Sequence, residues 1–471
     1  MASKKSAPFL RCGVPGALSG RAALMFLLFF CAAFPATVIG REPGEDSLQA
    51  MVARDPDNPM HWMKLGVLAA ANGQIDLAKG YFDEAIILSG NQGKTILEVG
   101  DVWLSQGRIK ASMQYLMPNL AHLDPARLDQ LQNGLEKEKL FSAQLLVLRN
   151  LGSRTQSYRP VNRKAAGLAL RLGDYALCQS ILTRFSDQLD YEGARNLMLV
   201  NFFANGNLDA KISSSLLSRF RQGEMGYLAH LNYAQQGKWR EVRQFLKREA
   251  NSPSYRDYFH LVKAMEAAMD DRSEEAAESY KLALESRWDR FRALVYADLY
   301  RLYSSTGNKF KSDQTWESLK EEYQEQNPDL LEFMARQLQL RGYERQSKYF
   351  YRVVLRRKPG NAKALEALWD DLMGNEDYQA ISDNLKVLLE NDPLSCEGNT
   401  MAMNFHFRRK NDKDLLSYGR NATVYCYDAL EPYFVLGTTL LNLSLPDEAR
   451  VYFATYIRKG GDANKVPMSV R

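Results

Sequence analysis

The chain has 471 residues, 45% hydrophobic and 25% charged, with a formal charge of +5; those fractions fit a folded protein and exclude a disordered or collagen-like one. Residues 1–40 carry four basic side chains (Lys4, Lys5, Arg11, Arg21) and no acidic one, so the rest of the chain carries only +1. The basic balance is a feature of the leader and gives no support to nucleic-acid binding.

In chain order, the leader comes first. Its basic stretch runs into the uncharged apolar segment Ala22–Phe34, followed by Pro35 and small residues up to Gly40. That order describes a secretory signal, cleaved near Gly40, or an N-terminal signal anchor over residues 22–40. The protein is therefore expected to be exported, either periplasmic or held at the inner membrane by this segment. No later apolar run approaches the roughly 20 residues a spanning helix needs. A lead-in over 41–58 precedes the first periodic stretch.

From Pro59 the apolar residues fall on one helical face: Trp62, Leu65, Gly66 and Ala69. Asn72-Gly73 then breaks the pattern where a tight turn is needed, and Ala78, Phe82 and Ala85 mark a second helix. The same pattern returns over 328–361 (Leu331, Met334, Ala335, Leu338, then Gly342, Tyr351 and Val354), over 362–395 (Leu365, Leu368, Leu372, then Ile381, Leu385 and Leu388) and over 430–461 (Tyr433, Leu436, Gly437, Leu440, then Ala449, Phe453 and Tyr456). Between them Gly107, Gly173, Gly206, Gly237 and Gly307 separate amphipathic stretches at spacings near 34 or twice that. The span 59–461 reads as one continuous array, with 462–471 as a tail.

This tryptophan, leucine-glycine, glycine, alanine, phenylalanine, alanine pattern resembles the tetratricopeptide repeat, and the leader adds the character of an exported or membrane-anchored bacterial-type member. The resemblance implies an all-α, right-handed solenoid of about a dozen helical hairpins that binds a protein in its concave groove. First-helix residues facing that groove would be Asp329, Glu332, Arg336 and Gln339, then Lys363, Glu366, Asp370 and Met373, then Glu431, Phe434, Thr438 and Leu441. Most of the charged ones are acidic, so a basic, partly apolar partner segment is expected. The carboxylate-clamp residues of chaperone-binding members are missing: Met63, Val67, Glu366 and Asp370 stand in their places.

Chemistry is not expected. The five histidines are scattered, no C-x-x-C occurs, and no phosphate loop, serine elbow or zinc motif is present, so neither an enzyme nor a cofactor or metal is indicated. Neither a small-molecule substrate nor a nucleic acid is expected as ligand. The function expected is an envelope scaffold or adaptor; the alternative is an envelope- or exopolysaccharide-binding assembly protein using surface aromatics such as Tyr418, Tyr425 and Tyr427. Cys396 and Cys426 lie near the beginning and end of one unit, at the same edge of an antiparallel helix pair. They would form a disulfide or remain two buried thiols.

Overall fold

The structure is a computed structural model and describes residues 45–470 apart from 91, 156, 159, 205, 207, 221–222, 252 and 427–428. The leader segment 1–40 and the start of the lead-in lie outside the described residues, as does Tyr427. Among the described residues there is no strand, and no helix is long and apolar enough to cross a membrane.

The chain divides after Gly90 into two units, whereas the repeat pattern reads as unbroken from 59 to 461. The first contains α1 (Glu45–Arg54), α2 (Pro59–Ala71) and α3 (Ile75–Leu88). The Asn58 side chain accepts from the Met60 N–H, with Pro59 in the first helical turn. The reason for Gly66 is steric. A Cβ there would stand 2.5 Å from the Phe82 ring of α3, so only glycine lets the two helices close on that side chain.

Among the described residues the second unit holds eleven helix pairs. Its first four are α4 (Gly93–Ser105) with α5 (Ile109–Leu116), α6 (Pro125–Lys137) with α7 (Phe141–Ser153), α8 (Pro160–Arg171) with α9 (Tyr175–Arg184), and α10 (Tyr191–Phe203) with α11 (Ala210–Arg219). Then follow α12 (Glu224–Gln235) with α13 (Trp239–Glu249), α14 (Arg256–Met269) with α15 (Ser273–Ala283), and α16 (Asp289–Ser305) with α17 (Lys309–Tyr323). The last four are α18 (Pro328–Leu340) with α19 (Glu344–Arg357), α20 (Ala362–Gly374) with α21 (Tyr378–Asn391), α22 (Cys396–Arg408) with α23 (Asp412–Tyr425), and α24 (Glu431–Asn442) with α25 (Pro446–Arg458). The fold is thus an all-α solenoid of helical hairpins.

One turn geometry repeats through it. Within every pair but α10–α11 the chain reverses through a left-handed residue, and the next N–H reaches back to the carbonyl five residues earlier, as from Gln74 to Ala69 (2.9 Å) and from Asn411 to His406 (3.0 Å). Glycine supplies that residue at 73, 107, 173, 237, 307 and 342, with φ between 70° and 84°. Lys139, Asp271, Glu376, Lys410 and Ser444 supply it elsewhere, at φ 54° to 60°. Those five turns carry no glycine signal, which is why the sequence spacing appears doubled between some units. The turn after α10 contains residues outside the described set.

The middle of the array departs from the repeat pattern because α10 and α12 stack through buried amides rather than apolar side chains alone. Gln179 donates to Asn201 (2.8 Å), Asn201 donates to Asn232, and Asn232 donates to the Met198 carbonyl (3.1 Å). Asn201 and Asn232 are fully buried, so each needs these partners.

Candidate functional site

The second unit closes across its own inner side. Tyr175 at the start of α9, Phe203 at the end of α10, Trp288 before α16 and Phe333 on α18 form one aromatic cluster. Phe203 lies 5.0 Å from Phe333 and 5.7 Å from Trp288, and Tyr175 lies 6.5 Å edge-on to Phe333. Two polar side chains of α18 reinforce it. Arg336 donates to the Gly173 carbonyl (2.7 Å) and sits 4.4 Å over the Tyr175 ring. Gln337, 1% exposed, donates to the Phe203 carbonyl (3.0 Å). Apart from Phe203 with Trp288, these contacts join residues more than 100 positions apart.

A second seam lies further along. Leu394, just before α22, and Tyr425, the last residue of α23, are buried in a cluster otherwise built by α4–α7 and the segment between α5 and α6, including Met117, Leu120, Leu131 and Val147. Asp392 accepts from Ser142 at this seam, and burial raises its carboxyl above the usual range. Cys396 and Cys426 are joined as a disulfide, with Cα atoms 4.9 Å apart. An antiparallel hairpin returns the chain end to its beginning, which is what brings these two cysteines together.

Between the two seams is a cavity of about 800 Å³. Segments of α7, α8–α9 and α18 line it, together with Lys358, Asn361, Lys363, Leu394, Cys396 and Tyr425. Six basic and four acidic side chains line it. Three arginines lie against rings: Arg171 over Phe141 (4.2 Å), Arg336 over Tyr175 (4.4 Å) and Arg290 over Phe333 (5.8 Å). Among the described residues none of these three has a carboxylate within ion-pair distance.

The residues singled out from sequence divide between this cavity and other places. Asp329, Glu332, Arg336 and Lys363 line it. Asp329 is paired with Lys358 (2.9 Å). Glu332 accepts from Asn361 (2.8 Å), and burial raises its pKa despite that bond and the nearby Lys358. Lys363 pairs with Glu397 (3.4 Å) and Glu366 (3.7 Å); burial favours its neutral form, but the two carboxylates outweigh it and raise its pKa. Gln339 is exposed and accepts from the Tyr351 hydroxyl (3.3 Å), while Asp370 is exposed. Met373 packs on the core of α20–α22. Glu431 accepts from Asn404 (3.1 Å), and Thr438 donates to the Phe434 carbonyl (2.9 Å). Phe434 and Leu441 pack on the core of the last hairpin, Phe434 lying 6.0 Å from Phe453.

Sequence reasoning missed Arg171, Arg290, Phe141 and Phe203. Their helices are legible, but nothing local tells which turn of a solenoid meets which across the inner side. Of the aromatics that a polymer platform would use, Tyr351, Tyr425 and Tyr456 are at most 8% exposed, and Tyr418, Tyr433 and Tyr452 are half-buried. Among the described residues no cluster of histidine, cysteine or carboxylate side chains could hold a metal ion.

No family model matches the chain, and no curated protein matches it. Among solved structures it is similar to a chain in the crystal structure of the APC/C hetero-tetramer Cut9-Hcn1, at 12% identity over 89% of this chain and 95% of that one, with a TM-score of 0.30. It is likewise similar to yeast Tom70, at 12% identity over 85% and 92%, with a TM-score of 0.32.

Proposed function

We propose that this protein is a non-enzymatic interaction scaffold of the cell envelope, exported by its N-terminal segment and periplasmic or anchored there, that holds a segment of a protein partner in the cavity of its second unit. The cavity's combination of apolar rings and uncompensated guanidinium groups supports this reading most directly. A stretch of polypeptide fits a space of about 800 Å³ lined in that way.

The charge of the partner follows from which groups are already neutralised. Asp329 and Glu397 have lysine partners, Glu332 an amide partner and Asp174 the Leu177 N–H, whereas among the described residues Arg171, Arg290 and Arg336 meet rings and a carbonyl. A segment with carboxylates among apolar side chains therefore fits better than the basic segment read from the sequence. Guanidinium groups braced on aromatic faces present their edges to such carboxylates.

Partner capture by the tagged protein at low and high salt tests this. Arg171→Glu combined with Arg290→Glu should weaken capture about tenfold or more at low salt, and Glu366→Lys combined with Asp370→Lys should leave it unchanged or stronger. The opposite pattern would mean a basic partner and would overturn the assignment.

A further inference from the structure

We propose that the Cys396–Cys426 disulfide is a redox latch on this cavity, opened by a dithiol reductant. The inference concerns regulation of the proposed binding site and rests on that reading for its biological meaning, though not for its test.

Position carries the argument. Cys396 is the first residue of α22 and Cys426 follows the last residue of α23, so the bond ties together the two ends of one hairpin. Each end carries one anchor into the distant cluster built by α4–α7: Leu394 two residues before Cys396, and Tyr425 one residue before Cys426. With the bond intact the two anchors stay or leave as a unit. Without it each is held separately, and the seam can open one side chain at a time. Both cysteines line the cavity, together with Leu394 and Tyr425, so opening this seam opens the cavity.

The surroundings also suit exchange. Cys426 is 3% exposed, while Cys396 is half-buried on the cavity wall, so attack is assigned to the sulfur of Cys396, the more exposed residue. Its attack breaks the S–S bond, forms a mixed disulfide at Cys396 and releases Cys426 as a thiolate. The Thr400 hydroxyl, 3.3 Å from Cys426 Sγ, stands where it can donate to that thiolate. The reductant's second thiolate then closes its own disulfide and frees Cys396. Two electrons pass from the dithiol, and two protons end on the cysteines. Cys178 stays outside the exchange, because it is 1% exposed and burial pushes its thiol up to about 12. A segment seated in the cavity covers Cys396, so binding and reduction oppose each other.

Amide hydrogen exchange on the full chain tests the latch without any partner. Three forms are compared: oxidised, dithiothreitol-treated, and Cys396→Ser with Cys426→Ser. Reduction and the double variant should each raise exchange about tenfold or more in peptides covering 117–123, 141–147 and 392–397. Peptides covering 256–283 and the helical circular dichroism should not change. Equal exchange in all three forms would overturn the proposal. So would loss of the whole unit's structure on reduction, or a bond that resists dithiothreitol until denaturant is added, since either makes the disulfide a structural staple. If the seam opens as described but partner capture is unaffected by reduction, the latch stands and the binding role of the cavity fails.

Discussion

Lys139, Asp271, Glu376, Lys410 and Ser444 hold left-handed backbone at turns where six other hairpins use glycine. A side chain there costs about 1–2 kcal/mol, partly offset because glycine loses more freedom on folding. Lys410→Gly should therefore raise stability by up to about 1 kcal/mol, while the reverse change Gly342→Lys should lower it by a similar amount, both readable by urea denaturation. Asp298 is a different kind of special residue. It is 4% exposed and takes two bonds from Arg341, at 2.9 and 3.0 Å. Burial pushes its carboxyl up, but Arg341 and Arg301 outweigh burial and hold it below the usual range. Its folded pKa is depressed, so its contribution is fully present above the ordinary carboxylate pKa and is lost as pH falls through the depressed value. Arg341→Met leaves the buried Asp298 carboxylate with Arg301 (3.2 Å) as its remaining cation and should cost up to about 3–5 kcal/mol at neutral pH. Adding Asp298→Asn should recover much of that loss and remove its pH dependence.

At the scale of the helix pair, close approach is set by glycine facing a large side chain. A Cβ at Gly66 would lie 2.5 Å from Phe82, and one at Gly437 2.9 Å from Phe453. Gly437→Val should destabilise the last hairpin by about 1–3 kcal/mol, seen as a lower melting midpoint for α24–α25 by hydrogen exchange. These pairs were legible because small and large residues recur at fixed spacing. The turns at Lys139 and Asp271 were not, because side chains other than glycine occupy the left-handed position and leave no mark in the sequence. The buried amides Asn201 and Asn232 hid the middle pairs for a related reason: they break the apolar periodicity while still filling the core. Pair removal also ceases to be neutral where a pair carries a seam. Deleting 328–361 takes away Phe333, Arg336 and Gln337 together, so it should cost far more than deleting 430–461, which carries none of the inner-side contacts described above. Comparable losses on the two deletions, measured by urea denaturation, would argue against a seam at α18.

For the whole molecule, the sequence shows an array and is silent on its closure. The repeat pattern is local, each hairpin meeting its neighbours. The inner-side contacts join residues 173–203 to 288–337 and 104–147 to 394–425, and no spacing in the chain encodes such pairings. Of the site, Asp329, Glu332, Arg336 and Lys363 could be read from repeat register alone. Arg171 and Arg290 enter only because the unit closes, and with them the balance of charge in the cavity changes.

Closure is the claim on which the cavity, the charge of its partner and the latch all depend, and a double-mutant cycle between Tyr175 and Phe333 tests it most directly. The two residues lie in separate hairpins 158 positions apart in sequence, with ring centroids 6.5 Å apart. Tyr175→Leu, Phe333→Leu and the double variant would be compared by urea denaturation of the oxidised protein. A closed unit predicts a coupling of about 0.5–1.5 kcal/mol, the range for an edge-on aromatic pair. Effects that simply add, within about 0.3–0.5 kcal/mol, would describe an open array in which these residues never meet, and would contradict the account.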